Sequence, residues 1–146
     1  MKIYMDTCSL QRPLDDKLQP RIALEAEAVL AVLALFDTGA LTLVSSDVLN
    51  YEVNRNPHPQ RHAFVSEILA RTTEAILLSD TIEERAIEFQ RRGFKTYDAL
   101  HLASAESETV DYFCTCDDRF LRRAKAQTDI TLKIVSPLEL IQEIIP

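Results

Sequence analysis

The sequence predicts one α/β domain, residues 1–146, with a parallel sheet of about five strands and helices on both faces. Short apolar runs alternate with longer helix-forming segments along the whole chain, which is the pattern of βαβ units. The chain length suits a single domain. With 47% apolar and 27% charged residues, the composition is that of an ordinary globular protein.

The first strand is the apolar run Ile3–Met5, and it ends at an acid, Asp6. Thr7 follows at once, and its hydroxyl suits a helix N-cap. A long helix is predicted over 21–37, because this segment is rich in Ala, Leu and Glu. Gly39 ends that helix.

The alternation continues with a second strand, Leu41–Val44, and a helix after the possible caps in Ser45–Asp47. Ser or Thr precedes several of the later helices, and Gly93 ends one of them. The remaining predicted elements are a helix over 60–71, a strand over Ala75–Leu78, a helix from Ser79 or Asp80 to 92, a helix over 97–107 capped by Thr96, a strand over Tyr112–Thr115, a helix over 118–126, a strand over Thr131–Val135 and a helix over 137–145.

Several classes of protein are excluded by composition. Only two glycines occur, so the chain has no Gly-rich loop for P-loop or Rossmann nucleotide binding. Asp6 interrupts the N-terminal apolar run, which argues against a signal peptide, and the apolar stretch Ala23–Phe36 carries two glutamates and is not a membrane span. Three cysteines without a framework pattern indicate reduced thiols and a cytoplasmic protein.

The net charge of −7 disfavours non-specific binding to nucleic acid, which normally depends on Lys and Arg. The acids either form a solvated surface or gather at a site that a metal neutralises. Four of them fall near equivalent ends of elements: Asp6, Glu52, Asp98 and Asp117.

These four acids would repel one another at one edge of the sheet unless a cation lay between them. Mg²⁺ or Mn²⁺ suits such oxygen ligands and supports phosphodiester hydrolysis. Taken singly, each acid is as well explained by solvation or by a helix cap. Asp98 is the most informative, because the helix that it opens is otherwise apolar.

Four segments together resemble the PIN domain family, in particular its VapC-like ribonuclease toxins. They read M-D-T-C-S-L over Met5–Leu10, Y-E over Tyr51–Glu52, T-Y-D-A-L-H-L-A over Thr96–Ala103, and T-C-D-D-R-F over Thr115–Phe120. The resemblance implies strand order 3-2-1-4-5 and Mg²⁺- or Mn²⁺-dependent endonucleolytic cleavage of RNA.

Carried over residue by residue, the resemblance makes Asp6, Glu52, Asp98 and Asp117 the metal-binding acids. Thr7 would orient Asp6 or a water on the metal, and Asp118 would substitute for or assist Asp117. The resemblance also implies an antitoxin whose tail blocks the site, and a homodimer. The apolar helix over 23–36 would supply a partner surface or, more simply, pack on the sheet.

Two further questions stay open at this level. Arg12 and Arg55 lie nearest to the acids in sequence and are the candidates for phosphate contact, although each also suits a solvated helix face. His101 shares a helix face with Asp98 and is either a general base or a hydrogen-bonded core residue. The rival function is a PIN-fold RNA-binding or assembly module with little or no catalysis, which the acidic surface favours and the complete acid set disfavours.

Overall fold

The computed structural model describes residues 1–145 of the protein. Five strands form its sheet: β1 (Lys2–Met5), β2 (Thr42–Ser46), β3 (Glu74–Ile76), β4 (Tyr112–Cys114) and β5 (Lys133–Val135). The strands are parallel and lie in the order β3-β2-β1-β4-β5. Both the α/β fold class and the expected strand order are thereby confirmed.

Eight α-helices occur in the described part of the chain, and they cover both faces of the sheet. They are α1 (Thr7–Gln11), α2 (Pro20–Asp37), α3 (Asp47–Asn54), α4 (Pro59–Ala70), α5 (Asp80–Arg91), α6 (Thr96–Ser107), α7 (Asp118–Lys125) and α8 (Pro137–Ile144). A 3₁₀ turn, Arg12–Leu14, follows α1. Helix α2 packs against α8, and α5 packs against α6. None of the helices within residues 1–145 is long and apolar enough to cross a membrane.

Serine side chains begin three of the helices. Ser46, Ser79 and Ser136 each accept a hydrogen bond from a backbone N–H in the first turn of α3, α5 and α8, respectively. Such caps each stabilise a helix by about 1 kcal/mol. The expectation that Thr96 caps α6 is wrong: Lys95 occupies the cap position, and the Thr96 hydroxyl accepts a hydrogen bond from Gln90 instead.

The third strand is shifted relative to the sequence prediction, which placed it over Ala75–Leu78. Ile76 pairs with Ser46, the last residue of β2, so no strand remains to pair with the residues that follow. Leu77 is accordingly 70% exposed. The pairing partner, and not the apolar run itself, determines where this edge strand ends.

The centre of the hydrophobic core is β1, whose Ile3 and Tyr4 are fully buried. The Tyr4 ring stacks on Phe113 of β4 with 5.2 Å between ring centroids. Phe120 of α7 meets Phe113 edge-on at 5.3 Å. Each of these aromatic side chains contributes a few kcal/mol of burial free energy, so the core fixes β1, β4 and α7 relative to one another.

Strands β1 and β4 are neighbours in space although more than a hundred residues separate them in sequence. Met5 pairs with Cys114, and the Asp6 N–H donates to the Cys114 carbonyl at 3.2 Å. The chain passes from β1 to β2 on one side of the sheet and enters β4 on the other. This junction is the topological switch point at which open parallel sheets bind ligands.

Candidate functional site

Asp6 lies at the switch point, at the carboxyl end of β1, and only 4% of its surface is exposed. It is itself the N-cap of α1, a position that the sequence suggested for Thr7. Its Oδ1 accepts hydrogen bonds from the Ser9 N–H and the Cys8 thiol, each at 3.1 Å. Burial nevertheless raises the pKa of Asp6, because these hydrogen bonds do not fully offset the cost of removing the carboxylate charge from water.

Glu52 on α3 is held by two side chains from other elements. Its Oε1 accepts from the Thr7 hydroxyl and from His101 Nε2, the latter at 3.0 Å. Burial alone would raise the pKa of Glu52, but these bonds outweigh burial and lower it. Oε2 accepts no hydrogen bond from any of the described residues, which leaves one oxygen of a fixed, ionised carboxylate for a ligand.

Thr7 makes a contact that the resemblance did not predict. Its hydroxyl donates to Glu52, and its expected role in orienting Asp6 or a water on the metal stays a prediction. Thr7 therefore links Asp6 to Glu52, because it directly follows Asp6 and contacts Glu52.

A buried hydrogen-bonded chain supports His101, which is only 2% exposed. Tyr4 Oη lies 2.6 Å from His101 Nδ1 and 2.7 Å from Ser46 Oγ, and Ser46 Oγ accepts from the Leu49 N–H. Every proton has an acceptor when Ser46 donates to Tyr4 and Tyr4 donates to Nδ1. His101 Nε2 then carries a proton and donates to Glu52, which fixes the tautomer of the ring.

Asp98 lies in the first turn of α6 and is half-buried. Burial, together with the nearby charges of Asp6 and Asp117, raises its pKa to about 6. The Asp98 carboxylate makes no ion pair with Lys, Arg or His within residues 1–145. A half-buried carboxylate with two acidic neighbours and no such partner is the electrostatic signature of a cation site.

The adjacent acids Asp117 and Asp118 lie in different environments. Asp117 is the N-cap of α7, where its Oδ1 accepts from the Arg119 and Phe120 N–H groups, and its charge acts on Asp98. Asp118 is half-exposed and pairs bidentately with Arg21, which lowers the pKa of Asp118. Asp117 therefore belongs to the acidic cluster, and Asp118 belongs to a surface ion pair.

The donor chemistry of this cluster fits a hard divalent ion, since carboxylate oxygens are the ligands that Mg²⁺ and Mn²⁺ prefer. No three Asp, Glu, His or Cys side chains of residues 1–145 converge closely enough to hold an ion as they stand. Asp6 and Asp117 both disfavour the ionised form of Asp98, and a cation near the three acids would relieve that repulsion.

The two candidate phosphate-binding arginines are in different situations. Arg12 is occupied by carboxylates, with Asp15 and the buried Glu25 each 2.9 Å from its guanidinium. Arg55 pairs with no carboxylate among the described residues and contacts Tyr51. Of these two arginines, Arg55 is therefore the one without a carboxylate partner and is the better candidate for phosphate contact.

Sequence reasoning missed the contribution of Tyr4, Ser46 and Thr115 to this site. The Thr115 hydroxyl opposes the burial effect on the pKa of Asp6 and accepts a hydrogen bond from the Asp117 N–H at 3.1 Å. A threonine two residues before Asp117 was the available signal. Tyr4 gave no such signal, because a tyrosine within an apolar run is interpreted as a residue of the hydrophobic core.

The fold and the site define a class: α/β proteins whose parallel sheet carries a cluster of acids at its topological switch point. Within that class, this chain belongs to the PIN domain family, whose model matches residues 3–126. No curated protein matches the sequence.

Two solved structures have a similar fold. The crystal structure of VapBC2 from Rickettsia felis, bound to a DNA fragment from their promoter, matches with a TM-score of 0.60 and 17% identity over 93% of this chain and 98% of that one. The crystal structure of PAE2754 from Pyrobaculum aerophilum matches with a TM-score of 0.53 and 17% identity over 99% and 98% of the two chains. At this level of identity the likeness concerns the fold.

Proposed function

We propose that this protein is a Mg²⁺- or Mn²⁺-dependent endoribonuclease that hydrolyses RNA phosphodiester bonds, and that it is the toxin of a VapBC-like pair. Membership of the PIN family supports the reaction class. The observation that carries the proposal is the environment of Asp98, a half-buried carboxylate whose charged neighbours include Asp6 and Asp117 and which has no ion-pair partner in residues 1–145. A divalent ion is the simplest way to neutralise the negative charge of these three acids.

The ion would be held by Asp6, Asp98 and Asp117, together with the free oxygen of Glu52. When bound, Mg²⁺ or Mn²⁺ supplies the activation of water and the charge neutralisation that phosphodiester hydrolysis requires. Thr7 and His101 hold the Glu52 carboxylate in one orientation.

The burial of Asp6 and the lowered pKa of Glu52 have complementary effects. Asp6 is excluded from bulk water, so its charge would act on a bound ion through a medium of low dielectric constant. Glu52 remains ionised at neutral pH because two donors face its Oε1. The protein thereby keeps one negative group fixed and ionised, even where Asp98 is close to protonation.

A protein partner is part of the proposal. The similarity to VapBC2 of R. felis supports an antitoxin, whose tail would cover the acids. Two leucines of α2, Leu24 and Leu30, are 56% and 44% exposed, and they support a homodimer or another apolar contact on that helix. A cytoplasmic location also belongs to the proposal, and three free thiols support it.

The test compares RNA cleavage by the wild-type protein, Asp6→Asn and Asp98→Asn with Mn²⁺ and with chelator. Each variant should lose cleavage by a factor of about 100 or more, because each removes a charge from the ion. Asp80→Asn, which changes an exposed acid in the first turn of α5, serves as the matched control and should cleave normally.

Manganese titration by calorimetry separates the proposal from the rival binding module. Heat of binding in the wild-type protein that Asp98→Asn abolishes would support a metal enzyme. RNA binding without metal-dependent cleavage would refute the enzymatic proposal and favour the binding module.

A further inference from the structure

Two tyrosines lie side by side next to the acidic cluster without belonging to the core. The ring centroids of Tyr51 on α3 and Tyr97 on α6 are 6.2 Å apart, and the ring planes are tilted by 41°. Tyr51 is 54% exposed. Tyr97 is only partly buried, so the pair presents aromatic surface to solvent outside the hydrophobic core.

Arg55 adds a positive charge to this aromatic surface. It follows Tyr51 by one helical turn, its guanidinium carbon lies 5.2 Å from the Tyr51 ring centroid, and its Nη1 donates to the Tyr51 hydroxyl at 2.8 Å. Within residues 1–145 it makes no salt bridge, whereas Arg12 pairs with two carboxylates. The contact with Tyr51 orients the guanidinium without neutralising its charge.

These side chains are continuous with the proposed catalytic site. A groove of about 420 Å³ is lined by Thr7, Glu52, Arg55, Asn56, Tyr97 and two further residues, and Tyr51 lies beside it through its contacts with Tyr97 and Arg55. Glu52 is one of the four acids and lines the groove directly. Thr7 also lines the groove and directly follows Asp6, so the groove leads to the acidic cluster. A chain lying in the groove would therefore pass from the tyrosines to the metal-binding edge.

We propose that Tyr51, Tyr97 and Arg55 form a subsite for single-stranded RNA, an inference that rests on the proposed ribonuclease function. An unpaired base stacks on the tyrosine pair, and Arg55 contacts the phosphate next to that base. The adjacent phosphodiester then lies toward Glu52 and the acids.

The chemistry favours a single strand over a duplex. In an RNA helix the faces of the bases are already stacked on one another, whereas an unpaired base can stack on an aromatic side chain. The groove contains one free cation and one carboxylate, so electrostatic attraction alone would be weak. Stacking supplies affinity that does not depend on a high positive charge, which suits a chain with a net charge of −7.

The binding experiment uses the full chain carrying Asp98→Asn, in chelator, so that RNA is bound without being cleaved. The probe is a fluorescein-labelled single-stranded RNA of eight nucleotides, followed by fluorescence anisotropy. Tyr51→Ala and Tyr97→Ala should each raise Kd by about 5- to 150-fold, the range for losing one stacked base. Tyr51→Phe, which retains the ring, should stay within about 3-fold of the parent.

The control variant is Ile87→Ala, which removes a similarly exposed apolar side chain (46%) from α5 and should leave Kd unchanged. Arg55→Gln should weaken binding and reduce the slope of log Kd against log salt by about 0.7, the value for one phosphate contact on a single strand. A duplex RNA of the same sequence should bind more weakly than the single strand.

An abasic scan tests the stacking itself. Removing the base that stacks should weaken binding to the parent protein but add nothing further in Tyr51→Ala, because that variant has already lost the contact. Additive losses at every position of the RNA would overturn the proposal.

Failure of this inference is distinguishable from failure of the proposed function. If wild-type protein cleaves RNA with Mn²⁺ while both tyrosine-to-alanine variants bind like the parent, the subsite is refuted and the nuclease stands. If the parent does not bind RNA and the wild type does not cleave it, both are refuted. Unchanged RNA affinity together with weakened binding of a protein partner would also refute the RNA subsite.

Discussion

Replacing Asp98 by Asn should stabilise the metal-free protein, although it should destroy its activity. The folded-state pKa of Asp98 is about 6, against an ordinary value of 3.8. Two pKa units correspond to about 3 kcal/mol, and partial exposure of the side chain reduces this to about 1–2 kcal/mol. For a chain of this size, that free energy raises Tm by about 3–8 °C.

The matched control is Asp80→Asn, because Asp80 also lies in the first turn of a helix but is exposed to solvent. Both substitutions remove a favourable interaction with a helix dipole, worth up to about 1 kcal/mol. The difference in Tm between the two variants therefore isolates the combined cost of burying the Asp98 charge and of its repulsion by Asp6 and Asp117. Thermal unfolding would be followed by calorimetry in chelator at pH 7.5.

The pH dependence has a definite sign. Because the pKa of Asp98 is raised on folding, the folded protein binds more protons than the unfolded chain between about pH 4 and pH 6. The stability contributed by protonated Asp98 is therefore lost as pH rises through this window. The advantage of Asp98→Asn should roughly halve at pH 5 and be small near pH 4.

Two results would refute this reasoning. A lower Tm for Asp98→Asn than for Asp80→Asn in chelator would show that Asp98 has a structural role in α6. An advantage that stayed constant from pH 4 to pH 7.5 would show that its ionisation is not the cause. With Mn²⁺ present, the wild-type protein should gain stability and Asp98→Asn should gain much less.

The other predictions concern the support of Glu52 and the choice between adjacent acids. Tyr4→Phe should lower the free energy of unfolding by about 1–3 kcal/mol in urea titration, because His101 Nδ1 is left buried without a donor; an unchanged midpoint would contradict the hydrogen-bonded chain. Asp117→Asn should weaken Mn²⁺ binding in calorimetry, whereas Asp118→Asn should not, because its carboxylate already pairs with an arginine; equal losses would show that both acids serve the ion.

Local patterns predicted the fold well because they depend on residues that are near in sequence. The apolar run before Asp6 predicted β1, and the Ala- and Leu-rich segment that follows predicted α2. The residues at which strands end were less predictable. The run Ala75–Leu78 is uniformly apolar, yet the strand stops at Ile76, since β2 offers no further partner.

In the candidate site, too, some features could be predicted from the sequence and others could not. Four acids could be named because motif spacing is visible in the chain, and their roles as metal ligands remain predictions. That Thr7 contacts Glu52 and that Asp118 pairs with Arg21 could not be read from spacing. Arg12 shows the same limit, because its closeness to Asp6 in sequence does not reveal its salt bridge with buried Glu25.

By itself, the sequence determined the alternation of strands and helices and the positions of the acids at the ends of elements, because hydrophobic period and capping chemistry act over a few residues. The tertiary structure alone decided which side chains support those acids. Tyr4 and His101 are 97 residues apart in sequence and 2.6 Å apart in the fold. Such a contact arises only from packing, which joins β1 to α6 and holds the Glu52 carboxylate beside Thr7.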